Sequence, residues 1–210
     1  MRISRTVVLP ATYAGPVSYY VLMLAYDKVV IDAGEHYVKQ TYRNRCEIAS
    51  PQGVQSLTIP AERTSENHVA MRNVGISEHG DWRHLHWQAL VTAYDGSPYF
   101  EYYMDELREI YEADCCRLLD FNEALRRKVC EWIDIQPSVT VSDAYVDITD
   151  EMDDFRASFS PKKEKPVLEF PLRVYHQVFE HRYGFLSDLS ILDLVFNMGP
   201  ESLLYLVEKK

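Results

Sequence analysis

The sequence predicts an α/β fold: a Rossmann-like, mostly parallel sheet with a helical middle segment and C-terminal helices. Three observations carry this. A β-branched run at residues 6–9 is followed by a loop, an apolar helical stretch at 17–25 and a second strand at 28–32, the strand–helix–strand order that opens a parallel sheet. Three segments between residues 82 and 133 repeat apolar side chains at helical spacing. A strongly apolar stretch at 186–197 stops at Gly199-Pro200, the order of residues that ends helices.

The elements follow in sequence. Residues 10–16 form a loop punctuated by Gly15-Pro16, at the strand edge where ligands of such sheets sit. Residues 45–49 and 56–60 read as a hairpin turning at Ser50-Pro51-Gln52-Gly53. Residues 62–67 read as a loop and 74–77 as a short strand. Trp82, Leu85, His86, Ala89, Leu90 and Ala93 mark the first middle helix, capped near Asp81. Tyr103, Leu107, Ile110 and Tyr111 mark the second (99–111), and Leu118, Leu125, Val129 and Trp132 the third (116–133). Residues 137–146 alternate as a strand does. Residues 147–165 turn dense in carboxylates and read as a long mobile acidic loop. Residues 173–179 read as extended and 201–208 as a closing helix, all within one domain spanning 1–210.

Composition narrows the function. At 47% hydrophobic residues the chain is ordinary globular protein. A net charge of -10 disfavours broad nucleic-acid binding and docking on anionic membranes. There is no run of about eighteen apolar residues, so no membrane span is expected. The N-terminal apolar stretch is broken by Pro10 and reads as a strand, not a signal peptide. Cys46, Cys115, Cys116 and Cys130 form neither a CxxC pair nor a disulfide framework, which fits a reduced, cytoplasmic setting.

Against that acidic background, residues 39–46 hold three cations and no carboxylate. An anionic ligand is one reason for such a reversal; pairing with nearby carboxylates on a solvated strand is the other. If extended, the run places Lys39, Arg43 and Arg45 on one face and Gln40, Tyr42, Asn44 and Cys46 on the opposite one. His86 falls on the apolar side of its helix, where an imidazole serves either as a general base or as a satisfied core residue. Ser190, Asp193 and Asn197 form one polar stripe on an otherwise apolar helix. A buried Asp193 requires a partner, and Arg43 or Arg45 is a candidate; the stripe either faces a ligand cleft or makes a structural ion pair. Cys46 reads as packing rather than as a nucleophile. Trp82, His84 and His86 lack the spacing of a helical metal pair, so no metal is expected. No P-loop, GxGxxG or GxSxG occurs, and no cofactor is indicated.

Several stretches in order resemble the WbqC-like protein family of bacteria. They are Leu9-Pro10-Ala11-Thr12-Tyr13, Tyr19-Tyr20, Tyr26-Asp27-Lys28-Val29-Val30, Gln40-Thr41-Tyr42-Arg43-Asn44-Arg45 and Leu57-Thr58-Ile59-Pro60, then Leu85-His86-Trp87, Ser97-Pro98-Tyr99-Phe100, Tyr175-His176-Gln177-Val178-Phe179 and 189–197. The resemblance implies a role in bacterial surface-polysaccharide (O-antigen) production, with acyl or aminoacyl transfer to a nucleotide-linked amino sugar. Where many members carry His-Gln-Pro near the first strand, this chain has Leu9-Pro10-Ala11. The expected transferase holds a diphosphate with Lys39, Arg43 and Arg45. Tyr13, Gln40, Tyr42, Asn44 and Asn197 contact the rest of the ligand, His86 is the base, and Asp193 orients a cation or the imidazole. The partners are then a nucleotide-linked sugar and an acyl donor. The alternative is a noncatalytic module binding an anionic glycan precursor or a partner protein.

Overall fold

The β-branched run near the N-terminus forms β1 (Ile3–Pro10), the apolar stretch α1 (Val17–Ala25), and the next run β2 (Tyr26–Asp32). The computed structural model describes residues 3–62, 68–161, 166, 168 and 171–208. Val7, Val8 and Leu9 are fully buried, as a strand covered on both faces must be. Val17 through Met23 of α1 are all buried, so this helix is apolar all round because it packs on every side. Its first turn is tied from the far end of the chain: Asp188 accepts hydrogen bonds from the Ser18 backbone N–H (2.8 Å) and the Ser18 hydroxyl (3.0 Å). A carboxylate there satisfies an orphan donor and complements the helix dipole.

Two short strands complete the sheet, β5 (Val139–Val141) and β6 (Met152–Asp154). The order is β5-β2-β1-β6 and every pairing is parallel. The register sets Pro10 beside Asp32, Ile31 beside Val141 and Val8 beside Asp154, so the carboxyl ends of all four strands share one edge. A separate antiparallel hairpin joins β3 (Arg45–Ser50) to β4 (Gly53–Thr58). Gly53 closes its turn at φ 102°, a conformation open to glycine at little cost.

The three middle helices are α2 (Trp82–Tyr94), α3 (Phe100–Glu112) and α4 (Leu118–Trp132). Asp81 precedes α2 in a left-handed conformation, and its side chain makes no capping hydrogen bond. After the four-residue α5 (Glu180–Tyr183) comes α6 (Ile191–Met198), which packs against α1, α3, α4 and β3. The chain closes with a 3-10 turn at Gly199–Ser202 and a single turn of helix, α7 (Leu203–Leu206). No helix among the described residues is long and apolar enough to cross a membrane.

Three expectations of local structure change, each because tertiary contacts outweigh propensity. Residues 74–77 form no ladder, because each backbone group bonds a different segment: Gly75 C=O to Glu62, Ile76 N–H to Cys116, and Ser77 N–H to Pro60. The acidic stretch 147–165 is not a structureless loop; it contains β6, which pairs with β1, and a buried Arg156, while 162–165 lie outside the described residues. The apolar stretch 186–197 turns helical only at Ile191, because Asp188 adopts φ 60° and the Ser190 N–H bonds Glu47 C=O at 2.7 Å.

Candidate functional site

The shared edge of the sheet is built on a buried charge network. At the end of β2, Asp32 is fully buried. Its Oδ1 accepts from the backbone N–H of Gly34 (2.9 Å) and Glu35 (3.0 Å), turning the chain away from the strand. Its Oδ2 accepts from the Val146 N–H at 3.2 Å and from Arg156 Nη1. At the end of β6, Asp154 accepts from Arg156 Nε (3.0 Å) and Nη2 (2.8 Å). Arg43 donates Nε to Glu35 Oε1 at 2.8 Å, pairs through Nη2 with Glu35 Oε2, and reaches the Arg156 carbonyl at 3.1 Å. Two guanidinium–carboxylate units are thereby joined into one layer. Burial pushes the Glu35 carboxyl up, with Arg43 opposing. Burial acts the same way on Asp154, but hydrogen bonds from Arg156 outweigh it and hold that carboxyl below its ordinary value.

Above this layer opens a cavity of about 540 Å³, a size suited to a small-molecule ligand. One wall is Glu35, His36, Lys39, Gln40, Thr41 and Arg43. The facing wall includes Tyr145, Asp154, Arg156 and Phe159. The position outside the carboxyl ends of parallel strands is where open α/β sheets bind ligands. Lys39 is exposed and, among the described residues, pairs with no carboxylate. His36 is also exposed, its ring 4.8 Å from that of His68. Among the described residues no group of three or more His, Cys, Asp or Glu is placed to hold a metal ion.

One wall depends on a glycine. A Cβ on Gly34 would lie 2.0 Å from the Tyr145 backbone nitrogen and 2.2 Å from the Ala144 carbonyl carbon. Backbone cannot yield as a flexible side chain can, so Gly34→Ala displaces the 144–145 segment. The expected cost is about 1–3 kcal/mol, measured by urea unfolding; an unchanged midpoint would show that this segment moves freely.

The basic run does not alternate as an extended strand would. Gln40 sits at φ 62°, and only from Arg45 does the chain enter β3. Lys39, Gln40 and Arg43 therefore share the cavity, while Arg45 leaves it and bonds Thr58 Oγ1 at 3.2 Å across the hairpin. Tyr42 donates to Glu47 at 3.0 Å and Asn44 Nδ2 donates to the Ile59 carbonyl at 2.8 Å; both brace the hairpin and neither lines the cavity.

The other candidates lie in the core. Tyr13 is buried, its hydroxyl 3.0 Å from His86 Nδ1 and hydrogen-bonded to Tyr111. His86 packs against Trp82 with ring centroids 5.1 Å apart. Burial pushes its pKa down to about 4, a hydrogen bond to the Thr58 backbone opposing. Cys46 is buried, and burial raises its thiol, as in an inert packing cysteine. Asp193 does not pair with Arg43 or Arg45. It accepts from Tyr94 (2.9 Å), Tyr175 (2.8 Å) and Gln177 (2.8 Å), all uncharged. Burial raises its pKa and those three donors oppose the rise. Asn197 donates to the Asp193 carbonyl at 2.7 Å. Neither His86 nor α6 lines the cavity, so the cations and the polar stripe of α6 do not converge on one hollow.

Glu35, His36, Tyr145, Asp154 and Arg156 also line the cavity, and no local motif marks them. Two signals were present: a carboxylate, Asp32, closing an apolar strand, and an arginine, Arg156, standing just after a run of carboxylates. A buried ion pair needs both, and nothing local joins residues so far apart.

The model of the WbqC-like protein family matches residues 11–165, a span that contains every cavity-lining residue. The chain is also 27% identical over 212 residues to the uncharacterized protein Rv1507c of Mycobacterium tuberculosis, covering 90% of this chain and 91% of that protein. No solved structure matches it. With that match extending from the first loop of the sheet through β6 and both cavity walls, the chain belongs to the WbqC-like protein family.

Proposed function

We propose that the cavity binds a nucleotide-linked amino sugar and that the protein transfers an acyl or aminoacyl group to its amine, in the production of a bacterial surface polysaccharide such as O-antigen. One observation carries the reading. Arg43 and Arg156 are committed to carboxylates in the cavity floor, whereas Lys39 stands on the wall with no carboxylate partner among the described residues. A lone ammonium at the edge of a parallel sheet is suited to phosphate as a point charge. Gln40 lines the cavity beside it.

Transfer requires a base within reach of the amine. We assign that role to His36, which lines the cavity, in place of His86, which does not. The amine nitrogen forms the new bond to the acyl carbon, the donor's leaving group departs with the bonding pair, and His36 accepts the amine proton. Asp193 and Asn197 then serve the packing of α6, and Tyr13 the packing of α2.

The test is calorimetric titration with nucleoside-diphosphate amino sugars. Lys39→Ala is expected to weaken binding about 10- to 100-fold, the loss of one hydrogen bond to a charged group. In the same assay His36→Gln is expected to retain binding and lose turnover. Turnover retained in His36→Gln would remove His36 as the base, binding without turnover in the wild type would favour the noncatalytic binding module, and failure of the wild type to bind any such ligand would end the proposal.

A further inference from the structure

The cavity wall carries an aromatic ring that the proposed transfer does not use. Tyr145 is 55% exposed, and an exposed tyrosine asks for no explanation by itself. The backbone beneath it does. The Val146 N–H donates to Asp32 Oδ2 at 3.2 Å, and its carbonyl accepts from Arg156 Nη1 at 3.0 Å. Ser142 donates to Asp32 Oδ1 at 3.3 Å. Gly34 lets the 144–145 backbone press directly onto the turn after β2. Loops with exposed side chains are ordinarily held loosely. Here a fully buried aspartate and a buried arginine grip the chain just below a ring left open to the cavity.

The guanidinium of Arg156 fixes the ring as well. Its central carbon lies 4.6 Å from the Tyr145 ring centroid, a cation–π contact that sets the ring's orientation. The same contact limits what can lie on the opposite face. A protonated amine there would meet the charge of Arg156 across the thickness of one ring and be repelled. A flat, neutral, aromatic face meets no such penalty.

We infer that Tyr145 is the platform on which the nucleobase of the ligand stacks, leaving the diphosphate toward Lys39 and the sugar in the interior of the cavity. The inference rests on the nucleotide-sugar reading of the cavity and extends it by naming the residue that selects a nucleotide over other phosphates. Stacking uses a face that every base possesses, so Tyr145 selects for a base without choosing strongly among bases.

The experiment titrates uridine diphosphate, thymidine diphosphate and inorganic pyrophosphate into the wild type, Tyr145→Ala, Tyr145→Phe and Lys39→Ala. Tyr145→Ala is expected to weaken both nucleotides about 10- to 100-fold and to leave pyrophosphate unchanged. Tyr145→Phe is expected to bind all three as the wild type does, because the ring face and not the hydroxyl makes the contact. Lys39→Ala is expected to weaken all three. Nucleotide binding that survives Tyr145→Ala but not Lys39→Ala overturns the platform and leaves the cavity reading standing. Equal loss of nucleotides and pyrophosphate in Tyr145→Ala, or a loss in Tyr145→Phe, also overturns it. A wild type that binds none of the three overturns both readings.

Discussion

Replacing Arg156 by methionine is expected to cost about 3–5 kcal/mol of folding stability, the penalty of leaving a buried carboxylate without its counter-charge. Asp32 is fully buried and keeps its hydrogen bonds from Gly34, Glu35, Ser142 and Val146, but loses its cation. The Val146 carbonyl loses a donor and Asp154 its forked partner. In a domain of this size the melting temperature should fall by roughly 6–20 °C, measured by calorimetry. The double variant Asp32→Asn, Arg156→Met is expected to lose less than the single one, because it no longer buries an unpaired charge while the asparagine oxygen still accepts from the turn. A single variant costing under about 1 kcal/mol would show that water reaches Asp32, and the floor of the cavity would then be wet. The same substitution releases the 142–146 segment, so ligand binding should suffer alongside stability.

Acid should destabilise this protein in a window set by His86. Its folded pKa lies near 4, against about 6.5 for an unfolded histidine. Between those values the unfolded chain binds a proton that the folded chain refuses, so stability is fully present above pH 6.5 and falls as the pH drops toward 4. The expected loss is about 3 kcal/mol. Glu35 and Asp193, whose carboxyls are raised by burial, act in the opposite direction, because their folded forms take up protons more readily. Both remain in His86→Gln, so the difference between the two proteins isolates the imidazole. Urea unfolding at a series of pH values should show the wild type losing about 3 kcal/mol more than His86→Gln across that window. Parallel curves would mean that the imidazole is solvated in the folded protein and that burial does not hold its pKa down.

Family resemblance and local pattern were both legible in the chain, and the candidate site was legible only in part. Lys39 and Arg43, which line the cavity, stand out in the sequence because they belong to a cluster of three cations in an acidic protein. Arg45 was misplaced with them because alternation assumes an extended backbone, and Gln40 turns it. Asp193 was recognised as a buried carboxylate needing partners, yet two tyrosines and a glutamine meet that need. Charge complementarity pointed to arginine; Tyr94, Tyr175 and Gln177 carry no charge to advertise them.

The sequence alone determined β1, α1, β2, the hairpin and the three middle helices, since each follows from periodicities and turn residues within a few positions of one another. Only the tertiary structure decided that a short strand inside the acidic stretch joins β1, and that Arg156 meets Asp32 across 124 residues. The reason is physical: helices and tight turns are specified by near neighbours, whereas the register of parallel strands and the choice of a buried charge's partner depend on contacts that exist only once the chain has closed on itself.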